Sequence, residues 1–280
     1  MELSSSKYTK GDLSGLSGAN RQRLAELLRV TKGSVTVDQA ASAWGMPPIQ
    51  AAKALAHLAT GGWLARVRRG LYIPIPLEAA TSQPVIEDGW LLAKELFSPC
   101  YIGGWSAAEH WKLTEQVFNS VMVISTRRPR QRTVKAGGVE FRVKTVREGS
   151  MFGTQEIWRS NVKVVVSNPA KTVVDMLDDP ALGGGIRPVS DMLTTYMRSE
   201  HFSAGNLADM SLRFNSGAVF KRLGYLLERG FPNQEVLIRK CMDGRSAGNS
   251  KLDPALTCPR LSTRWRLWVP DNWKESAGHD

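Results

Sequence analysis

Cysteine is scarce in this chain of 280 residues: Cys100, Cys241 and Cys258 are odd in number and widely spaced. That pattern argues against a disulfide framework and fits a reducing cytoplasm. No Cys-x-x-Cys occurs, and the four histidines (His57, His110, His201, His279) are scattered, so no metal-ligand spacing is present and no cofactor is expected. No apolar run approaches the roughly 20 residues needed to span a bilayer. The opening "MELSSSKYTKGDLSG" has no apolar core, so a secretory signal is not expected either. Acid is also in short supply, with 26 Asp and Glu against 37 Lys and Arg, a net charge of +11. An excess of that size points to a polyanionic partner, because basic surfaces recruit nucleic acid or anionic membrane by long-range attraction.

What is present is enough apolar residue (42%) for a sizeable core and enough length for about two domains. Residues 1–17 are polar and read as a loose arm. A helix follows in "GANRQRLAELLRVTKG", with Leu24, Leu27, Leu28 and Thr31 at helical spacing. Thr36 and Gln39 form a capping box for the next helix, whose apolar face is Val37, Ala40, Ala41 and Trp44 and which Gly45 ends. Pro47 and Pro48 start a third helix, with Ile49, Ala52, Leu55, Leu58 and Ala59 expected to face inward. Two short helices about a glycine turn, followed by a hairpin, are the order of a winged helix-turn-helix, here over 18–78.

The hairpin is "WLARVRRGLYIP", 63–74, and it crowds Arg66, Arg68 and Arg69 around the turn at Gly70. Like charges repel, so the cluster makes sense if phosphates come to lie between them. About three such contacts per protomer predict a log–log salt slope near −3, and about −6 for a dimer. On the third helix Gln50, Lys53 and His57 stand at i, i+3 and i+7 and share the outward face. Glutamine can bind adenine with two hydrogen bonds, and lysine can reach guanine or phosphate. These six residues are the expected DNA contacts. A further basic segment, "TRRPRQRTVK", carries Arg127, Arg128, Arg130, Arg132 and Lys135 with no acid, and reads as a loop that extends the DNA footprint or binds RNA.

After a linker at 77–84 the pattern changes to a larger mixed α/β domain, 85–270, with a helical C-terminal portion, so the fold class is α+β. Helices are expected at 85–97, 106–113, 188–199, 203–213, 216–229 and 233–241, and "SVMVISTRR", "GVEFRVKTV", "FGTQEIW", "VKVVVS" and "TRWRLWVP" read as strands. Enzymatic readings fare poorly. "GGWSAAEH" lacks the second glycine of a nucleophile elbow, and Ser106 has a simpler task as a helix cap with Glu109. Glu140 and Lys144 share one strand face, but no aspartate at a convincing strand end completes a metal-dependent nuclease. No catalytic residue is assigned. The nuclease, and an RNA- or protein-binding module built on 127–135, stand as the alternatives.

Five blocks in order carry a resemblance: "RGLY" (69–72), "YIGGWSAAEHWKLTEQ" (101–116), "NPAKTVVDML" (168–177), "RLGYLLE" (222–228) and "LDP…RWRLWV" (252–269). Together they resemble the AbiEi family of antitoxins from type IV toxin–antitoxin systems. The resemblance implies a cytoplasmic, nucleoid-associated bacterial repressor. It would bind inverted repeats upstream of its own operon through the winged helix, and counter a nucleotidyltransferase-type toxin without needing a stable complex with it. It places Tyr101, Gly103, Ser106, Trp111 and Asp175 in C-terminal signatures, where structural roles are expected: Ser106 capping, Trp111 packing, and Asp175 pairing with backbone or arginine. The stretch "PALTCPRLSTRW" is less basic than the family pattern implies, which weakens a DNA-contact role for the tail.

Overall fold

The computed structural model describes residues 17–31, 33–75, 88–159, 162–271 and 273. The expected arm, apart from Ser17, and the expected linker at 77–84 lie outside these residues. The chain divides into two compact units, one comprising 1–98, 129–142 and 158–164, the other 99–128, 143–157 and 165–280. Among the described residues no helix is long and apolar enough to cross a membrane.

The first unit opens with α1 (Gly18–Val30), capped by the Ser17 hydroxyl, which accepts from the Asn20 amide. Strand β1 (Val35–Thr36) leads into α2 (Val37–Trp44). Thr36 and Gln39 close the capping box in both directions, and Gly45 ends the helix at φ +59°, a left-handed turn that suits glycine. Helix α3 (Pro48–Thr60) starts on Pro47 and Pro48 and stops at Gly61. Strands β2 (Leu64–Arg68) and β3 (Leu71–Pro74) follow, and the three strands form a sheet in the order β1-β3-β2. A core of Leu27, Val35, Ala40, Ala51, Leu55, Leu58, Leu64 and Tyr72 joins helices to sheet. The Trp44 indole N–H donates to the Arg23 carbonyl at 2.9 Å and fixes α2 on α1. This helix–strand–helix–helix–hairpin order, with β3 in the middle, is the winged helix-turn-helix that the sequence pattern implies.

Helix α4 (Gly89–Phe97), capped by Asp88, completes the continuous part of the first unit. Strand β4 (Cys100–Ile102), α5 (Gly104–His110), β5 (Ser120–Ser125), β6 (Thr133–Ala136), β7 (Val139–Thr145), β8 (Thr154–Arg159) and β9 (Val162–Ser167) come next. They build a six-stranded sheet in the order β6-β7-β5-β4-β9-β8. β4 runs antiparallel to β5 and parallel to β9, so the sheet is mixed, as the α+β class requires.

In the second unit α6 (Pro169–Asp178), α7 (Ile186–Arg198), α8 (Ala204–Phe214), α9 (Gly217–Gly230) and α10 (Glu235–Gly244) are followed by a small sheet of β10 (Ser250–Lys251), β11 (Arg260–Ser262) and β12 (Leu267–Val269). α6 is the centre of this unit: Val173, Val174, Met176 and Leu177 have no accessible surface. "TRWRLWVP" is strand only from Leu267, because 263–266 form the turn between β11 and β12. A methyl group at Gly224 would lie 2.0 and 2.1 Å from Cζ3 and Cη2 of the buried Trp265. Gly224→Ala should therefore destabilise the unit by about 1–3 kcal/mol through overpacking. A lowered urea midpoint for unfolding checks this, and an unchanged midpoint refutes it.

Candidate nucleic-acid interface

Helix α3 buries Ala51, Leu55 and Leu58 and turns Gln50, Lys53 and His57 to solvent, so the three expected contact residues share one exposed face. Among the described residues none of these three side chains makes a hydrogen bond or ion pair. One expectation is overturned. Ile49 does not face inward; it is 74% exposed. Two helical residues rotate a side chain by about 200°, which puts Ile49 opposite Ala51, the residue that seats the helix. Ala52 and Ala59 are half-buried flanks rather than the centre of the face. Leu28 of α1 is also 47% exposed.

The wing is made by β2 and β3. Their register runs Leu64↔Pro74, Ala65↔Ile73 and Arg66↔Tyr72, then slips to Arg68↔Leu71, leaving Val67 as a bulge. A bulge adds twist and re-aims the side chains beside it. Gly70 closes the turn at φ +79°, and its carbonyl accepts from the Val37 amide at 3.2 Å, tying the wing tip to the start of α2. Arg66, Arg68 and Arg69 are all exposed. Arg68 donates to the Glu95 carbonyl of α4 at 2.7 Å. Its partner is a neutral carbonyl, so the charge is retained, and a guanidinium carries further N–H donors. Among the described residues Arg66 and Arg69 have no side-chain partner. From residue 39 to 77 the chain contains no aspartate or glutamate, while it contains Lys53, Arg66, Arg68 and Arg69. The second half of the winged helix is thus cationic throughout.

In the basic segment Arg127, Arg128, Arg130, Arg132 and Lys135 are all exposed. The segment is not wholly a loop, as β6 begins at Thr133 and Lys135 lies on it, opposite Glu140. Glu140 sits 3.8 Å from Lys135 and 3.7 Å from Arg142, and Lys144 pairs instead with Asp179 at 2.5 Å. Glu140 and Lys144 are therefore each held by other partners. Among the described residues no three of His, Cys, Asp and Glu gather in a way that could hold a metal ion.

The C-terminal signature residues belong to the architecture. Ser106 does not cap α5, whose N-cap is Gly103; it lies inside the helix, and its hydroxyl accepts from the Met122 amide at 2.9 Å. The Trp111 indole donates to the Ser167 carbonyl at 2.8 Å. Asp175 pairs with neither backbone nor arginine: the Lys171 ammonium donates to one of its oxygens, and the Tyr101 hydroxyl donates to the other at 2.9 Å. Burial pushes the Asp175 carboxyl upward, opposed by Lys171 and by its hydrogen bonds. Burial likewise raises the Tyr101 hydroxyl, and it pushes the Cys241 thiol up to about 12, which leaves that thiol inert. Arg222 of α9 donates to the carbonyls of Leu177, Asp178 and Lys251, and Asp253 accepts from the Ile186 amide at 2.9 Å. Blocks far apart in sequence are thus joined by buried polar contacts.

No curated protein matches the sequence. Among solved structures, the chain resembles the crystal structure of the RV2827C protein from Mycobacterium tuberculosis with a TM-score of 0.62. The two share 17% identity, and the match covers 92% of this chain and 93% of that one. At that identity the likeness establishes the fold. Residues 22–75, from α1 to the end of the wing, match the family model described as transcriptional regulator, AbiEi antitoxin. The winged-helix region of this chain, 22–75, is thus similar to the N-terminal domain of the AbiEi antitoxin transcriptional regulators.

Proposed function

We propose that the chain is a DNA-binding antitoxin and autorepressor of a type IV toxin–antitoxin operon, working in the cytoplasm of a bacterium. The winged helix, 18–78, sets α3 into the major groove, with Gln50, Lys53 and His57 toward the bases and Arg66, Arg68 and Arg69 on the neighbouring backbone. Two protomers, or a dimer, occupy an inverted repeat and block the promoter by covering it. The exposed cations of 127–135 add phosphate contacts. The domain at 85–270 counters a nucleotidyltransferase-type toxin, and no stable complex is required. The observation that supports this reading is the acid-free stretch 39–77, which carries the solvent-facing side of α3 and the arginine wing within the region that matches the AbiEi regulator model.

An electrophoretic shift tests it. The protein should bind the DNA upstream of its own reading frame well ahead of a scrambled duplex of equal length. Replacing residues 127–135 with neutral side chains should weaken both interactions alike, because phosphate contacts carry no sequence information. Equal binding of the two duplexes by the intact protein would overturn the reading. RNA binding that survives deletion of residues 1–80 would favour the alternative module.

A further inference from the structure

Ile49 is one of the most exposed large apolar side chains among the described residues, and it stands on α3 rather than on a loop. A β-branched side chain gives up rotamer freedom in a helix, and here it gains no burial in return. Its neighbours on the helix surface are Gln50 beside it and Lys53 one turn on, with the small, exposed Ala56 another turn away. An alanine at that point lets the helix approach a groove wall closely, so the face is apolar at its start and cationic beyond.

Ile49 and Gln50 are the second and third residues of α3. In a helix-turn-helix the N-terminal residues of the second helix are the ones that reach base edges. The major groove displays one apolar group, the C5-methyl of thymine, and it is recognised by apolar contact. Resting on the DNA-binding reading above, we propose that Ile49 is a specificity-determining residue that packs against a thymine methyl in each half-site. The adjacent Gln50 takes an adenine edge, so that the start of α3 reads an A·T-containing step. Contact with the methyl removes the isoleucine from water, which only the bound state provides.

The test uses the full chain and duplexes it enriches from a randomised library. Each thymine of the enriched sequence is replaced in turn by deoxyuridine, which deletes the methyl alone. One position per half-site should weaken the intact protein about fourfold, the value of burying one methyl-sized group. The same replacement should leave the affinity of Ile49→Ala unchanged. The variant should keep its thermal midpoint, since the side chain it loses is exposed and alanine is the better helix former. If a sequence is enriched but no uridine position matters, or the uridine effect persists in Ile49→Ala, the assignment fails and the DNA-binding reading stands. If Ile49→Ala changes the sedimenting mass instead, Ile49 is a contact between copies and the assignment is wrong. If no sequence is enriched, the DNA-binding reading itself falls.

Discussion

Asp175→Ala should cost about 3–5 kcal/mol of folding free energy, the usual penalty for leaving a buried charge without its partner. Lys171 has no accessible surface, and its ammonium lies in a cage of protein. It donates to Asp175 and to the Tyr101 hydroxyl at 3.0 Å, with the rings of Phe152 and Phe214 each 5.0 Å away and that of Tyr101 at 5.2 Å. The aromatic faces attract the cation but cannot replace the carboxylate. Removing the carboxylate also deprives the Tyr101 hydroxyl of its acceptor. The double variant Lys171→Met/Asp175→Leu should regain most of the loss, because it removes both charges and refills their sites with apolar side chains. A residue of about 1–3 kcal/mol should persist from the stranded Tyr101 hydroxyl, and adding Tyr101→Phe should relieve it. Urea titrations at constant m-value measure all three. A single variant as stable as the parent, or a double variant no better than the single, would refute this account of the cluster.

The same cluster shows what could be read in the sequence and what could not. Helix ends in the winged helix were legible because they depend on local chemistry: Thr36 with Gln39, Gly45, and the Pro47–Pro48 pair each act within four residues. The wing was legible for the same reason, through Gly70 and its flanking apolar residues. Ile49 was misread because apolar character alone does not choose a helix face. The choice was made by Ala51, a small residue whose role emerges only when α2 and α3 pack together. Ser106 was misread because Ser-x-x-Glu resembles a cap, while α5 begins two residues earlier on Gly104 and leaves the hydroxyl to the Met122 amide. The partner of Asp175 at α6 was four residues away in Lys171, a spacing visible in sequence. Burial of a lysine has no local signature, however, so the sequence alone points to an arginine or the backbone. Strands β1, β10 and β11 have two or three residues each, too few for an alternating pattern to show. Of the interface, the exposure of Gln50, Lys53 and His57 follows from periodicity, whereas the Arg68–Glu95 contact joins residues 27 apart and is set by tertiary packing alone.

Neutralising the two unpartnered wing arginines, Arg66→Ala with Arg69→Ala, should produce the largest change in DNA binding. Each phosphate neutralised by a protein cation contributes a log–log salt slope of about −0.9 on duplex DNA, through release of a condensed counterion. Three wing contacts from each of two protomers contribute about −5.4 to the parent slope, on top of what the 127–135 cations add, and that share alone lowers affinity about 2,000-fold between 50 and 200 mM salt. Removing two contacts per protomer flattens the slope by about 3.6 and leaves the wing's share of the fall at only about tenfold over the same range. The variant therefore binds much more weakly at low salt, and the two curves converge as salt rises. Arg68→Ala should behave differently from either neighbour. It gives up at most one contact per protomer, and it also breaks the hydrogen bond by which the wing is tied to α4. Its affinity should drop by more than its slope change accounts for, because the freed wing must be reordered on each binding event. Fluorescence anisotropy titrations at four salt concentrations separate these behaviours. A parental slope in the Arg66→Ala/Arg69→Ala protein would mean that the wing does not lie on the phosphate backbone.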